Sequence, residues 1–395
     1  MSIDRTWRRL LPLALSRFCQ GFILWYAIDK VFMSSIGFDA STIALATIVG
    51  SITRLLLEIP SGVLADRWSR KGILGIGYLC LALATFLLGS SDSVAQYLVS
   101  GVLFGAYFAL NSGIVDSIVY DTVLEDTGRR DNFEKYMGRI VLIRSIGLAA
   151  SSLLGGLVGH LYGLREAYFL SIPGALIAIG CLYFFQEPSL HKKAVASHIF
   201  HQMADTIRFV LRRGIFMITL IALLAFGIID SFMNDVDQLW PLALDLPVIW
   251  YGPLNALLLM GYGLGAPLAV NFIHNRQHTV IACMIILALT WLLTIPNMPA
   301  IAMAQFGLLV LMSAMQILVS GQLHDSLPSD LRSGSSSAVS TLTLLLYLPL
   351  VFIFGVMTEN TSVFVAAYML LPVSAIGVWA VFELLPPISK RTEAT

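Results

Sequence analysis

The stretch Gly62-Val63-Leu64-Ala65-Asp66-Arg67-Trp68-Ser69-Arg70-Lys71 carries the most information about the fold of this chain. It places one aspartate and three basic residues between two long apolar segments, Ser41–Ala65 and Gly72–Leu88. An α-helix needs about 20 apolar residues to cross a bilayer, and both segments are close to that length. We therefore expect a polar connection between two membrane spans, on the side of the membrane where basic residues collect.

The rest of the chain has the composition of a membrane protein. Of its 395 residues, 57% are hydrophobic and 12% are charged, against about 25% charged in soluble domains. A single soluble core cannot bury so much apolar surface, so lipid is the expected solvent. The formal net charge is zero, which provides no basic field and predicts no nucleic-acid partner.

The N-terminus and the cysteines argue against a cleaved signal peptide and against a disulfide or metal site. Met1–Arg9 is basic and runs into an apolar stretch without a small-residue cleavage site, so we expect a retained first span and no signal peptide. Cys19, Cys80, Cys181 and Cys283 fall in separate apolar segments. That placement predicts neither a disulfide framework nor a metal site.

Twelve apolar segments are long enough to cross a bilayer, which predicts an all-α membrane protein with 12 transmembrane helices. Turn residues and charged clusters separate them. In chain order, the predicted spans are Leu10–Phe32, Ser41–Ala65, Gly72–Leu88, Val94–Tyr120, Gly138–Tyr162, Ala167–Phe185, Gly214–Leu239, Val248–Ile273, Thr279–Ile295, Ala300–Gly321, Ser335–Met357 and Ser362–Leu384.

The positions of lysine and arginine predict the orientation. If both termini are cytoplasmic, 19 of the 24 basic residues fall on cytoplasmic segments, while Lys30 and Arg165 lie outside. The longest polar interior stretch, 187–213, is then a cytoplasmic linker that separates six spans from six. We therefore expect an N-terminal six-helix bundle over residues 1–186 and a C-terminal six-helix bundle over residues 214–395.

The stretch Gly62–Lys71 closely resembles the G-x-L-A-D-R-x-G-R-K signature of the major facilitator superfamily, with Ser69 in place of the usual glycine. Together with twelve spans and a central linker, the resemblance covers essentially the whole chain. It implies two pseudo-symmetric six-helix bundles. It also implies alternating-access transport of a small-molecule substrate, without a cofactor, by a protein that we expect to be monomeric in a bacterial inner membrane.

The same resemblance implies a conformational latch at the cytoplasmic end of the bundle. In the family, the glycine at Gly62 allows close helix approach, and the aspartate at Asp66 sits near the start of a helix of the other half. Asp121 resembles the acidic partner of this stretch, and Arg139 could complete a charge relay. The implied latch comprises Gly62, Asp66, Arg67, Arg70, Lys71, Asp121 and Arg139.

The fifth span contains a run of small residues with two interpretations. Gly147 and Gly155-Gly156-Leu157-Val158-Gly159 resemble the glycine-rich motif of antiporters in this family. Ser151-Ser152 stands where that motif has Gly-Pro, which weakens the resemblance. The alternative is ordinary helix packing through small residues.

Three arginines interrupt the apolar pattern of the first half: Arg17, Arg54 and Arg144. In the family, the spans that carry them line the central cavity, so we expect an electropositive wall suited to a carboxylate or phosphate group. For Arg54 the alternative is an i,i+4 ion pair with Glu58 that shapes the helix. Polar residues on cavity spans that could also bind substrate are Tyr107, Asn111 and Gln316.

Acidic residues collect around the seventh span. Asp230 lies near its middle, and Asn234 and Asp237 follow at i+4 and i+7, which predicts one shared helix face for substrate binding. Asp230 is the first candidate for proton coupling because of its depth. Asp29, in the outer third of the first span, is the second candidate. For both aspartates, the alternative is that they sit in water at the outer mouth.

These features predict a secondary transporter. The favoured function is proton-coupled export, by antiport, of a small amphiphilic or anionic or zwitterionic molecule, such as a drug or a siderophore-like metabolite. The alternative is a proton-coupled importer of an organic anion. Two alternatives are remote. A membrane-embedded enzyme is not favoured, since the sequence has no H-E-x-x-H or P-loop motif. A lipid flippase would need a wide apolar cleft beside the charged wall.

Overall fold

The computed structural model describes residues 4–128, 133–188, 214–274, 276–326 and 332–384, and every secondary-structure element in these ranges is a helix. The chain forms two compact units. The first comprises Met1–Ala196 and Leu246–Leu259, and the second comprises Ser197–Asp245 and Met260–Thr395. The division at 187–213 stays a prediction, because residues 189–213 of the predicted linker lie outside the described ranges.

Each predicted span coincides with a helix or with a run of short helices. Ten of these are long and apolar enough to cross a membrane, and two shorter apolar stretches, Val248–Gly261 and Arg276–Leu292, match the eighth and ninth spans in the described part of the chain. The α-helices are Arg5–Gln20, Asp29–Ser35, Ala40–Arg67, Arg70–Gly89, Val94–Asn111, Ile114–Thr127, Phe133–Leu161, Leu164–Phe169, Ile172–Tyr183, Gly214–Asp235, Leu239–Ala243, Tyr251–His274, Arg276–Leu292, Met298–Ser326, Arg332–Asn360, Val363–Ala366 and Leu370–Leu384.

The connection between the second and third spans is shorter than the sequence suggests. The helix of the second span continues through Arg67, so only Trp68 and Ser69 connect it to the next helix. At its other end this helix starts at a capping box, in which Asp39 accepts a hydrogen bond from the backbone N–H of Thr42. That bond lowers the pKa of the exposed Asp39 carboxyl.

The first and fourth spans are broken helices, although hydropathy predicts them as continuous. In the first span, the α-helix ends at Gln20 and a new one begins at Asp29 after a 3-10 turn. In the fourth span, the break lies at Ser112 and Gly113, and Gly113 has a φ of 66°, which a residue without Cβ adopts readily. Breaks of this kind are tolerated at membrane depth only where other groups satisfy the freed backbone.

The seventh span also ends earlier than predicted. Its helix stops at Asp235, and Asp237 lies in the turn before the short helix Leu239–Ala243. The predicted helix face therefore includes Asp230 and Asn234 but not Asp237. Asp and Asn side chains compete for backbone hydrogen bonds, which favours a helix end in this stretch.

Glycines of the fifth span hold it close to the first span within the first unit. A Cβ at Gly147 would lie 2.6 Å from the carbonyl oxygen of Phe18, and one at Gly155 would lie 1.9 Å from that of Leu24. No other residue fits at these two positions without moving the backbone of the first span. Close helix packing through small residues is thus present, and the antiporter interpretation of the same glycines stays a prediction.

Candidate functional site

Arg17 lies at the centre of a polar cluster in the first unit. Its Nη1 donates hydrogen bonds to the Asn111 side-chain oxygen at 3.3 Å and to the Tyr78 hydroxyl at 3.4 Å. These three side chains come from the first, fourth and third spans. The predicted binding residues Arg17 and Asn111 are therefore in direct contact, while Tyr78 was not predicted.

Gln20 connects this cluster to the fifth span. Its Nε2 donates to the Tyr107 hydroxyl at 2.5 Å, and its side-chain oxygen accepts from Nε of Arg144 at 3.3 Å. Gln20 is 1% exposed and Tyr107 is 3% exposed. Sequence reasoning missed Gln20, although an amide inside an apolar span is a recognisable signal.

The two guanidinium groups of this cluster have neutral partners. Neither Arg17 nor Arg144 forms an ion pair with a described residue. Asp116 attracts Arg17 electrostatically without pairing with it, and the positive charges of the two arginines repel each other. Both side chains are half-buried. Cations that are shielded from water are normally paired with an anion, because removing a charge from water is costly. The cluster therefore presents positive charge with hydrogen-bond donors that suit a carboxylate or phosphate.

Arg54 has different surroundings. Its Nε lies 3.9 Å from a carboxylate oxygen of Glu58, as the i,i+4 spacing predicts, and its side chain is 49% exposed. The other Glu58 oxygen accepts a hydrogen bond of 2.7 Å from Ser112, at the break of the fourth span. No contact in the described ranges joins Arg54 to Arg17 or Arg144, so only two of the three predicted arginines share a network.

Asp29 is enclosed and does not lie in open water. One of its oxygens accepts hydrogen bonds from the hydroxyls of Tyr97 and Tyr168, the latter at 2.8 Å, and the other is 2.7 Å from Nζ of Lys30. Trp25 stacks on the ring of Tyr168, with centroids 4.9 Å apart. Asp29 is only 9% exposed. Asp29 with Lys30, Tyr97, Tyr168 and Trp25 is called the Asp29 cage, and its hydrogen bonds connect the first, fourth and sixth spans.

In the second unit, Asp230 is half-buried, and its backbone carbonyl accepts a hydrogen bond of 2.7 Å from the side chain of Asn234. The backbone carbonyl of Asp237 accepts one of 2.8 Å from Gln305, a fully buried residue that was not predicted. Gln316 is half-buried on the helix Met298–Ser326 and makes no hydrogen bond with a described residue.

The latch residues of the first unit form two contacts. Nη1 of Arg70 lies 2.5 Å from a carboxylate oxygen of Asp121, which is the pairing that the family resemblance implies. Nζ of Lys71 donates to the carbonyl oxygens of Tyr183 at 3.0 Å and Phe185 at 2.7 Å, at the end of the sixth span. These bonds attach the start of the third span to the fourth and sixth spans.

Glu187 is a further member of this cluster that sequence reasoning did not single out. One carboxylate oxygen accepts hydrogen bonds from the backbone N–H groups of Arg70 at 2.6 Å and Lys71 at 3.2 Å. The other accepts from the Ser69 hydroxyl at 2.7 Å, and Ser69 in turn accepts from the backbone of Gly72. Ser69 is therefore both the N-cap of the third span and a partner of Glu187.

Gly62 and Arg139 are not joined to this cluster by any contact in the described part of the chain. A Cβ at Gly62 would meet no described atom within 4 Å. The guanidinium of Arg139 lies over the rings of Trp7 at 5.4 Å and Tyr136 at 6.0 Å. The side chains of Asp66 and Arg67 lie outside the described residues, although their backbone belongs to the helix Ala40–Arg67.

The sequence and fold resemble those of known transporters. An uncharacterized transporter of Buchnera aphidicola is 22% identical over 53% of this chain and 54% of its own length, and the efflux pump azaK of Aspergillus niger is 25% identical over 39% of this chain and 32% of its own. The chain thus spans about half the length of the first of these relatives. The crystal structure of a mutant of the nucleoside transporter NupG superposes with a TM-score of 0.79 over 97% of this chain and 100% of that one, at 14% identity.

The family follows from the part of the chain that contains the candidate site. The pattern of the Major Facilitator Superfamily matches residues 10–247, which include the arginine cluster, the Asp29 cage and the Arg70–Asp121 pair. The chain therefore belongs to the Major Facilitator Superfamily of membrane transporters.

Proposed function

We propose that the protein is a secondary transporter that exports a small organic anion or zwitterion by alternating access, coupled to protons. The observation that carries this proposal is the pair Arg17 and Arg144, whose half-buried side chains have only neutral hydrogen-bond partners in the described ranges. A substrate carboxylate or phosphate would supply an anion in direct contact with the guanidinium groups, which Asp116 does not, and would compensate the charge of the cluster. A monocation would be repelled.

Tyr107 and Asn111 complete the proposed binding site. Gln20 donates a hydrogen bond to the Tyr107 hydroxyl, and the side-chain oxygen of Asn111 accepts one from Arg17. Tyr107 and Asn111 therefore place polar groups next to the two guanidinium groups. Neutral groups of this kind recognise the hydroxyl or amide groups of a substrate that also carries a charge. In the second unit, Asn234, Asp237 and Gln316 stay proposed as further polar contacts, with Asp230 as the proton acceptor.

Export is the favoured direction because one relative is named an efflux pump. Location in a bacterial inner membrane, cytoplasmic termini and a monomeric state belong to the same proposal, and the positive charge on the predicted cytoplasmic segments supports the orientation. An embedded enzyme is not supported, since the family and the relatives are transporters.

Transport by the purified protein in sealed liposomes tests the proposal. Inside-out and right-side-out reconstitutions with an imposed pH gradient are supplied with matched panels of organic anions, zwitterions and cations. We expect uptake of anions or zwitterions from the face that corresponds to the cytoplasm, in exchange for protons. Gradient-driven uptake of cations alone would overturn the substrate class, and uptake only from the opposite face would indicate import.

Substitutions test which arginines bind the substrate. We expect Arg17→Gln and Arg144→Gln each to weaken substrate binding about 10- to 100-fold, the loss of one charge-assisted hydrogen bond of about 1.5–3 kcal/mol. Arg54→Gln is the matched control, because Arg54 is exposed and paired with Glu58. Equal affinities for the three variants would contradict the assignment of the binding site.

A further inference from the structure

A polar cavity lies at the end of the first unit where the first span begins and the sixth span ends. Its volume is about 610 Å³. It is separate from the arginine cluster, with which it shares no residue. The lining residues are Arg5, Arg8, Arg9, Pro12, Glu125, Asp126, Phe184 and Gln186.

Two of the three arginines in this cavity are available for a ligand. Arg9 is already bound, with its guanidinium 3.2 Å from Glu125 and 2.8 Å from Asp126. Arg5 and Arg8 are exposed, and neither forms an ion pair with a described residue. Guanidinium groups placed in this way bind phosphate well, because their donors match its oxygens.

Asp126 supplies the opposite charge. Its Oδ1 accepts from Arg9, and its Oδ2 is buried and accepts no hydrogen bond from a described residue. The side chain as a whole is 9% exposed. A buried carboxylate oxygen without a donor is costly, so it calls for a cationic or hydroxyl donor from a ligand.

The surroundings of the cavity are apolar. Tyr183 is 79% exposed and Phe184 is 73% exposed at the end of the sixth span, and Leu11 and Leu15 project from the first span. In a protein that crosses a bilayer, such side chains face acyl chains and the interface with the headgroups. A ligand of this cavity is therefore expected to be amphiphilic.

We propose that this cavity binds the headgroup of a phospholipid that carries a phosphodiester and a primary ammonium group, as in phosphatidylethanolamine. The phosphodiester binds Arg5 and Arg8, the ammonium donates to Oδ2 of Asp126, and the acyl chains lie against Phe184 and Tyr183. Basic pockets between spans at the membrane surface commonly bind lipid headgroups, and here the added carboxylate selects for a cationic end.

Native mass spectrometry of the full-length protein, purified in detergent and supplied with single lipids, tests this proposal. Dioleoyl phosphatidylethanolamine, phosphatidylcholine and phosphatidylglycerol share their acyl chains and their phosphodiester. We expect phosphatidylethanolamine to bind about tenfold more tightly than phosphatidylcholine, whose quaternary ammonium cannot donate a hydrogen bond. Equal binding of these two lipids, or tighter binding of phosphatidylglycerol, would overturn the proposal.

Three variants in the cavity and one control outside it identify the site. Arg8→Gln, and independently Arg5→Gln, should weaken phosphatidylethanolamine binding several-fold, whereas Lys135→Gln, which removes an exposed charge outside the cavity, should not. Asp126→Asn keeps an acceptor for Arg9 and should abolish the preference for phosphatidylethanolamine over phosphatidylcholine. A preference unchanged in Asp126→Asn, or an equal effect of Arg8→Gln and Lys135→Gln, would refute the assigned contacts.

Discussion

The carboxylate of Glu187 accepts a hydrogen bond of 2.6 Å from the backbone N–H of Arg70. This bond joins a residue a short way after the sixth-span helix, which ends at Tyr183, to the first residue of the third-span helix. A carboxylate at a helix N-terminus satisfies free N–H groups and interacts favourably with the helix dipole. Glu187 therefore acts as a second N-cap of the third-span helix, beside Ser69, although it lies far from that helix in the sequence.

The first prediction concerns the charge of Glu187. Glu187→Gln keeps the shape of the side chain but replaces charge-assisted hydrogen bonds by weaker neutral ones, so we expect the free energy of unfolding to fall by about 1 kcal/mol. Thermal unfolding in detergent micelles measures the change. The matched control is Glu383→Gln, an exposed residue at the end of the last span, and an equal shift in both variants would contradict the capping role.

The second prediction concerns Ser69, which stands where the family usually has glycine. Ser69→Ala removes the N-cap and one partner of Glu187, and we expect it to cost about 1 kcal/mol. The double variant Ser69→Ala, Glu187→Gln should lose less than the sum of the two single changes, by about 0.5 kcal/mol or more, because the residues are in contact. Strict additivity in the same unfolding assay would show that the two caps act independently.

Close packing of the first and fifth spans gives the third prediction. In Gly155→Ala the new methyl group would overlap the backbone carbonyl of Leu24, and a backbone cannot rotate away as a side chain can. We expect a loss of about 3 kcal/mol in stability, or failure to fold. Gly180→Ala, a helical glycine whose Cβ would meet no described atom within 4 Å, should be neutral or slightly stabilising. Melting temperatures that fall equally in both variants would contradict this reason.

How far the sequence predicts this molecule depends on the kind of feature. The twelve spans follow from hydropathy, and the Arg70–Asp121 pair follows from the resemblance of Gly62–Lys71 to the family signature. The helix breaks after Gln20 and at Gly113 cannot be predicted from hydropathy, because hydropathy does not show whether an apolar segment stays helical. The contact of Glu187 with Ser69 was equally hidden, since it joins residues far apart in sequence.

The arginines show the same limit within the candidate site. Charge in an apolar span pointed to Arg17, Arg54 and Arg144 alike, and the i,i+4 spacing identified the ion pair of Arg54. Only the tertiary structure shows that Gln20 connects Arg144 to Tyr107, whose span also carries the Arg17 partner Asn111. The selection of two arginines out of three therefore depends on packing between spans, which one sequence does not reveal.

The last prediction separates the two candidates for proton coupling. Asp29 accepts hydrogen bonds from Tyr97 and Tyr168 and pairs with Lys30, so its cage favours a structural role. We therefore expect Asp29→Asn to lower the melting temperature. Tyr168→Phe should also lower it, because the loss of one hydrogen bond to the carboxylate reduces the free energy of unfolding by about 2 kcal/mol. The folded fraction of Asp29→Asn should keep gradient-driven transport. Tyr183→Phe, at an exposed tyrosine, is the control for loss of a hydroxyl.

Asp230→Asn should have the opposite effect. Asp230 is half-buried in a span, where a carboxylate can exchange a proton as its surroundings change. We expect this variant to fold normally and to lose transport driven by a pH gradient while it still exchanges labelled for unlabelled substrate, since exchange requires no proton release. Proton-driven transport that survives in Asp230→Asn but disappears in folded Asp29→Asn would reverse the assignment, because the cage around Asp29 would then have to open during each cycle.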